Sequence, residues 1–97
     1  MPEMRFSVRW PDDTVTDCYS PSQVIREHMQ AGAVYPITDF VERSRTALHI
    51  ASERVRARYG YACSSALDQL RRIEETATRF VADPDARVEI LRFTPGR

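Results

Sequence analysis

Three side chains of one predicted helix could bind an anion, and one cysteine could act as a nucleophile. Arg45, His49 and Arg56 are spaced so that, at about 100° per residue, they lie on one side of that helix. Guanidinium groups are planar, always charged and suited to carboxylate or phosphate. Cys63 precedes the next predicted helix, and thiols at helix N-termini are often reactive thiolates. These residues predict a small-anion-binding sensor or a small enzyme with a reactive cysteine.

Each of these residues also has a structural interpretation. Glu42 and Glu53 lie three residues before Arg45 and Arg56, which predicts ordinary ion pairs within the helix. Cys63 can equally be a small apolar residue that packs a turn. A nucleophile also needs a base and an oxyanion site, and the sequence indicates neither. We therefore predict no catalytic residue, and an enzymatic role stays the second hypothesis.

The same helix carries an apolar residue on the side away from its predicted core. Ile50 lies about 160° from the centre of the apolar stripe, with Ala47 and Ala57 near it. Small residues around an isoleucine would let another helix approach closely. This pattern predicts an interaction surface for another protein or for a second copy of the chain in a homodimer.

Composition argues against several classes of function. The 97 residues carry 14 basic and 14 acidic side chains, and this neutral balance argues against general nucleic-acid binding. All basic residues are arginine, so a Schiff-base lysine and a P-loop are excluded. No apolar run approaches the roughly 20 residues of a membrane span. The first residues include no apolar export segment, so we expect a cytoplasmic protein with reduced thiols.

Metal binding and cofactor binding are not predicted. The four candidate metal ligands are not paired at ligand spacing; they are Cys18, His28, His49 and Cys63. A disulfide between the two cysteines is disfavoured by the expected compartment.

A β-hairpin is predicted at the start of the chain, over residues 1–19. Apolar residues alternate from Met4 to Trp10, which indicates a half-buried strand, and "TVTDCYS" indicates the second strand. The turn between them lacks glycine, so any residue at positive φ there must be Asp12 or Asp13.

A three-helix segment is predicted to follow, over residues 20–83. Ser20 and Gln23 fit a capping box, which predicts a helix over about 21–31 that stops at Gly32.

The second predicted helix is long and the third is shorter. Thr38 or Asp39 is expected to cap the second helix, and Gly60 is expected to end it. Ser64 or Ser65 is expected to cap the third helix.

The last predicted element is a strand over residues 86–94. Because two strands alone are marginal in water, we expect it to return beside the first strand. The sequence therefore predicts a single α+β domain over residues 1–97, in the order β-β-α-α-α-β. Its three-stranded sheet would consist of the hairpin plus the C-terminal strand, packed by three helices. The direction of that last strand stays open.

Four stretches together resemble a known bacterial family: "MPEMRFSVRWPD", "CYSPS", "YPITDFVERSRTALHIASERVRARYG" and "ACSSAL". From Met1 to about Leu70 the chain is similar to nitrogen-starvation-response proteins of mycobacteria, cyanobacteria and proteobacteria. Genes of that family lie in clusters with a nitrilase, a radical-SAM protein, an acetyltransferase, a flavoprotein and an aminoimidazole-ribonucleotide-synthase-like protein. Two positions depart from the expected pattern: Asp13 stands for a turn glycine, and Tyr61 stands for a phenylalanine or similar ring.

The resemblance implies a cytoplasmic role in nitrogen limitation, in the use of nitrogen from nitriles or cyanide. It assigns no catalytic residue and no cofactor. The leading hypothesis is therefore a non-enzymatic accessory or regulatory protein. It would bind an enzyme of the same gene cluster, or itself, through the surface around Ile50.

Overall fold

Four strands and three helices make up residues 3–95, the part of the chain that the computed structural model describes. In chain order they are β1 (Met4–Arg9), β2 (Val15–Ser20), α1 (Ile25–His28), β3 (Val34–Pro36), α2 (Ile37–Tyr59), α3 (Ser64–Thr78) and β4 (Arg87–Pro95). The predicted α+β class is confirmed. The sheet has one strand more than predicted, so the element order reads β-β-α-β-α-α-β.

The sheet is antiparallel throughout, with the strands in the order β2-β1-β4-β3. β4 returns beside β1 as predicted, and its direction is antiparallel. The prediction of three strands is wrong because β3 pairs with the outer side of β4, with Val34 opposite Glu89. β3 has only three residues and ends in Pro36, so its sequence looks like a connector. Proline is tolerated there because an edge strand can lack an N–H donor.

One face of the sheet packs against the helices, while the other face is exposed. Phe6 and Val8 of β1 are fully buried, as are Val88 and Ile90 of β4. Arg9 lies on the opposite face of β1 and is exposed. The long helix α2 contacts β3, β4 and α3, and α3 also contacts β2. Both long helices therefore lie over the apolar face.

An aromatic cluster of Trp10, Phe40 and Phe80 joins the two layers. The Trp10 ring lies edge-on to Phe40, with centroids 5.5 Å apart, and stacks with Phe80 at 6.2 Å. Only 2% of the Trp10 surface is exposed. Its Nε1–H donates to Thr16 Oγ1 at 2.9 Å, so burial leaves no polar atom of the indole without a partner.

The hairpin turn confirms that an aspartate takes the place of glycine. Asp13 has a φ of 69°, in the left-handed region that aspartate tolerates better than most residues. Asp12 Oδ1 accepts hydrogen bonds from the backbone N–H of Thr14 at 3.1 Å and from its hydroxyl at 2.6 Å. The hydroxyl bond is the main cause that lowers the pKa of Asp12.

The first helix is much shorter than predicted, and the predicted capping box of Ser20 and Gln23 is not formed. α1 spans four residues rather than about 21–31. Ser20 belongs to β2, and its Oγ donates to the carbonyl oxygen of Ser22 at 2.7 Å instead of capping a helix. Ser22 Oγ in turn accepts from the N–H of Val24 at 3.3 Å. These local side-chain bonds compete with helix formation over the segment before Ile25.

Gly32 takes part in the sheet rather than in the end of a helix. Its φ of 84° is positive, a conformation that glycine adopts easily because it has no Cβ. Its N–H, however, donates to the carbonyl of Ile90 at 2.7 Å. The glycine therefore directs the chain toward β3, and α1 ends earlier, at His28.

Neither predicted N-cap of the second helix is used. Thr38 and Asp39 lie inside α2, which begins at Ile37 with Pro36 at the N-cap. The N–H of Ile37 donates to the carbonyl of Ala86 at 3.0 Å, so the start of α2 is tied to the segment before β4.

The turn between α2 and α3 is partly as predicted. Gly60 ends α2, with a φ of 86° and its N–H bonded to the carbonyl of Arg56 at 2.8 Å. The predicted caps Ser64 and Ser65 are wrong, because Cys63 occupies the N-cap position of α3.

Replacing a buried leucine should cost far more stability than the same replacement at an exposed leucine. Leu48 of α2 is fully buried, and Leu67 of α3 is 41% exposed. We expect Leu48→Ala to lower the free energy of unfolding by about 2–5 kcal/mol, because it leaves a cavity. Leu67→Ala should cost less than about 1 kcal/mol. Urea denaturation followed by circular dichroism measures both, and equal losses would contradict this burial pattern.

Candidate functional site

Arg45 is held between two carboxylates. Its Nη2 lies 2.8 Å from Glu74 Oε2 of α3, and its Nη1 lies 3.2 Å from Glu42 Oε2 of α2. The hydrogen bond to Glu74 is the main cause that raises the pKa of Arg45. The guanidinium therefore links α2 to α3, and its charge is already balanced within the chain.

His49 and Arg56 are exposed on the same side of α2. Arg56 Nη1 lies 3.6 Å from Glu53 Oε1, so both ion pairs predicted within this helix are present. At 1.5 Å per residue, Arg45 and Arg56 are separated by about 16 Å along the helix axis. The structure thus places the predicted anion-binding residues along one side without gathering them around a single small ligand.

A shallow groove runs between α2 and α3 beside Arg45. Its volume is about 390 Å³. The walls are largely apolar and include Ile37, Val41, Ala77 and Val81. The ion pair between Arg45 and Glu74 borders this groove, so both of these charged groups already have a partner.

Cys63 is half-buried at the start of α3. Its N–H donates to Ser52 Oγ at 3.2 Å, and Ser52 is itself buried in α2. Tyr19 is a nearby titratable group whose pKa is raised to about 12, mainly by burial and further by the charges of Glu3 and Cys63. A phenol with that pKa stays protonated at neutral pH and offers the thiol no base.

Cys18 lies in β2 and is fully buried. Burial raises the pKa of its thiol to about 12. Cys18 and Cys63 are both free thiols. Within residues 3–95, the histidine, cysteine and acidic side chains form no group of three or more that could hold a metal ion.

The surface predicted around Ile50 is only partly exposed. Ala47 is fully buried in the core, so it cannot belong to an exposed contact surface. Ile50 is half-buried, and Ala57 is exposed. The reason is that the α1 segment packs against this side of α2. Arg43 Nη1 donates to the His28 carbonyl at 2.7 Å, and the segment shields the neighbouring residues.

An exposed apolar patch lies at the turn between α2 and α3, and sequence spacing did not reveal it. It is called the hairpin-tip patch here, after the helical hairpin that α2 and α3 form, and it consists of Tyr59, Tyr61 and Leu67. Their exposed fractions are 52%, 67% and 41%, respectively. The two tyrosine rings lie 6.4 Å apart, and Arg58 Cζ lies 5.7 Å from the centre of the Tyr59 ring. Tyr59 is the last residue of α2 and Leu67 lies in the first turn of α3, so both are next to this turn.

A family model described as "Nitrogen starvation-induced protein NitG" matches residues 5–93. The chain belongs to the NitG family. The sequence resemblance to nitrogen-starvation proteins is thereby confirmed, and the match extends through α3 into β4. Comparisons with curated proteins and with solved structures find no match.

The NitG match runs across every element of the described fold, from β1 to β4. It therefore includes both Cys63 and the hairpin-tip patch. No helix within residues 3–95 combines the length and apolar character needed to cross a membrane.

Only one of the two thiols should react in the folded protein. Cys63 is partly exposed, whereas Cys18 is fully buried and protonated near neutral pH because burial raises its pKa to about 12. At about pH 8, we expect iodoacetamide to label native protein at Cys63 alone, and both cysteines after unfolding. Mass spectrometry counts the labels.

The Cys63→Ser variant is the control, and it should stay unlabelled while folded. Equal rates at both cysteines in the native protein would contradict the buried position of Cys18. If iodoacetamide labels Cys63 no faster than it labels a free thiol in solution, the reactive-cysteine hypothesis is wrong.

Proposed function

We propose that this chain is a non-enzymatic accessory or regulatory protein of the response to nitrogen starvation, and that it acts by binding a protein partner. The observation that carries the proposal is the hairpin-tip patch. Among residues 3–95, half of the large apolar side chains that are exposed lie in this one turn region, although it spans only residues 59–67. Such clustering is typical of interaction surfaces, whereas scattered apolar residues need no explanation.

The chemistry of the patch supports a protein partner rather than a small molecule. Tyrosine and arginine are enriched among residues that dominate binding energy. Tyrosine buries a large area with few rotatable bonds, and arginine presents several hydrogen-bond donors. The space at the turn is also open, since a Cβ placed on Gly60 would meet no atom within 4 Å. Small-molecule sites are concave instead. An open turn with exposed Tyr59 and Tyr61 suits a groove on another protein.

The identity of the partner rests on the resemblance described from sequence. We propose an enzyme from the gene cluster that serves nitrile or cyanide nitrogen use, with the nitrilase as the first candidate. A homodimer is the alternative assembly. Both assemblies would form in the cytoplasm, because cytosolic reductants keep thiols such as Cys18 and Cys63 reduced.

The outer side of α2 remains a second proposed contact surface. It now comprises Ile50 and Ala57, because Ala47 belongs to the core. Its smaller exposed apolar area makes it the weaker of the two surfaces. A partner that covers the α1 segment as well would reach this side of α2.

Single substitutions should separate the two surfaces. We expect Tyr61→Ser to weaken partner binding by at least about tenfold, because tyrosines at the centre of an interface contribute strongly. Val15→Ser is the matched control, since Val15 is 54% exposed and lies in β2, outside both surfaces. Ile50→Asp tests the outer side of α2. Affinity purification from nitrogen-starved cells, followed by native mass spectrometry, identifies and quantifies the bound proteins.

Circular dichroism must first show that all three variants are folded. Loss of the partner in Tyr61→Ser alone supports the hairpin-tip patch, and loss in Ile50→Asp alone moves the contact to α2. The proposal fails if the unaltered chain is recovered without any partner and as a monomer. It also fails if no variant differs from the unaltered chain.

A further inference from the structure

A cavity lies where the ends of β1 and β4 meet the segment around α1. Its volume is about 450 Å³, which is within the range of small-molecule sites. Residues from distant parts of the chain line it, among them Arg26 in α1 and Arg92 in β4. It is separate from the groove beside Arg45 and from the hairpin-tip patch.

The arginines of this cavity differ from most others in the molecule. Within residues 3–95, eight arginines form ion pairs: Arg5, Arg9, Arg43, Arg45, Arg56, Arg71, Arg72 and Arg79. Neither Arg26 nor Arg92 is ion-paired to any residue in that range. Both are exposed and line the same cavity. Glu3 also lines it, so the lining residues carry two positive charges and one negative charge.

The remaining walls supply an apolar floor and neutral hydrogen-bonding groups. Phe93 is half-buried, with its ring 6.4 Å from that of Phe6, and Met4 is buried. Gln23 and Thr94 add an amide and a hydroxyl to the lining. A few polar groups above an apolar surface is the usual composition of a site for a small organic ligand.

We propose that this cavity binds a small organic carboxylate, with its carboxyl group at Arg26 and Arg92 and its apolar body on Phe93 and Met4. Guanidinium groups bind carboxylates through paired, charge-assisted hydrogen bonds. The excess positive charge favours an anion over a neutral molecule of the same shape. This ligand site is independent of the proposed protein partner, and either can exist without the other.

Titration of the full chain with benzoate tests the proposal. Benzoate supplies one carboxylate and one apolar ring, and benzyl alcohol supplies the same ring without the charge. We expect saturable benzoate binding in the millimolar range, by calorimetry or by chemical-shift changes of arginine Nε–H groups. Benzyl alcohol should bind at least about tenfold more weakly, a difference of about 1.4 kcal/mol.

Four variants make the test specific. Arg26→Gln and Arg92→Gln should each weaken benzoate binding by about tenfold, because each removes a charge-assisted contact. Arg87→Gln is the matched control, since Arg87 is an exposed arginine of β4 that does not line the cavity. Glu3→Gln should change affinity in the opposite direction, strengthening binding by removing the negative charge.

The combination of these responses supports the site. The proposal is overturned if benzoate shows no saturable binding, or if the neutral alcohol binds equally well. It is also overturned if Arg87→Gln weakens binding as much as Arg26→Gln and Arg92→Gln do. Because all the substituted side chains except Glu3 are exposed, we expect every variant to stay folded, and circular dichroism checks this.

Discussion

Trp10 joins the sheet to the helices through two aromatic contacts and one hydrogen bond. Its ring meets Phe40 of α2 and Phe80 just after α3, while Nε1–H donates to Thr16 of β2. The position follows directly from the sequence, because Trp10 continues the inward-facing alternation of β1. Trp10 therefore ties the start of α2 and the end of α3 to the β-hairpin.

Charged residues of α2 add to this arrangement by holding α2 to its neighbouring segments. Arg45 ties α2 to Glu74 of α3, and Arg43 ties it to the carbonyl of His28. Arg54 Nη1 reaches Ser22 Oγ at 3.2 Å. A neutral chain whose basic groups are all arginine can hold its helices together in this way, since one guanidinium group donates hydrogen bonds to several partners at once. Within the described residues 3–95, Arg26 and Arg92 have no ion pair, and the proposed carboxylate site uses these two.

The sequence predicted those features that depend on local patterns. Alternation gave the first strand, and Gly60 gave the end of α2, because both follow from rules that act over a few residues. The edge strand β3 escaped prediction because three residues carry no period. The candidate site shows the same limit. Spacing placed Arg45 on one side of its helix together with His49 and Arg56, but it could not reveal the ion pair with Glu74, 29 residues away. The hairpin-tip patch was equally hidden, because exposure depends on what tertiary packing covers.

Trp10 is the single tryptophan of the chain, so its fluorescence reports directly on the contact between the two layers. The most direct measurement is urea unfolding of the unaltered protein, followed by Trp10 fluorescence and, in parallel, by the far-ultraviolet circular dichroism of the helices. If the aromatic cluster holds the fold together, both signals should change in one transition with the same midpoint. A fluorescence change at lower urea than the loss of helix would contradict this. It would mean that α2 and α3 stay folded after separating from the sheet.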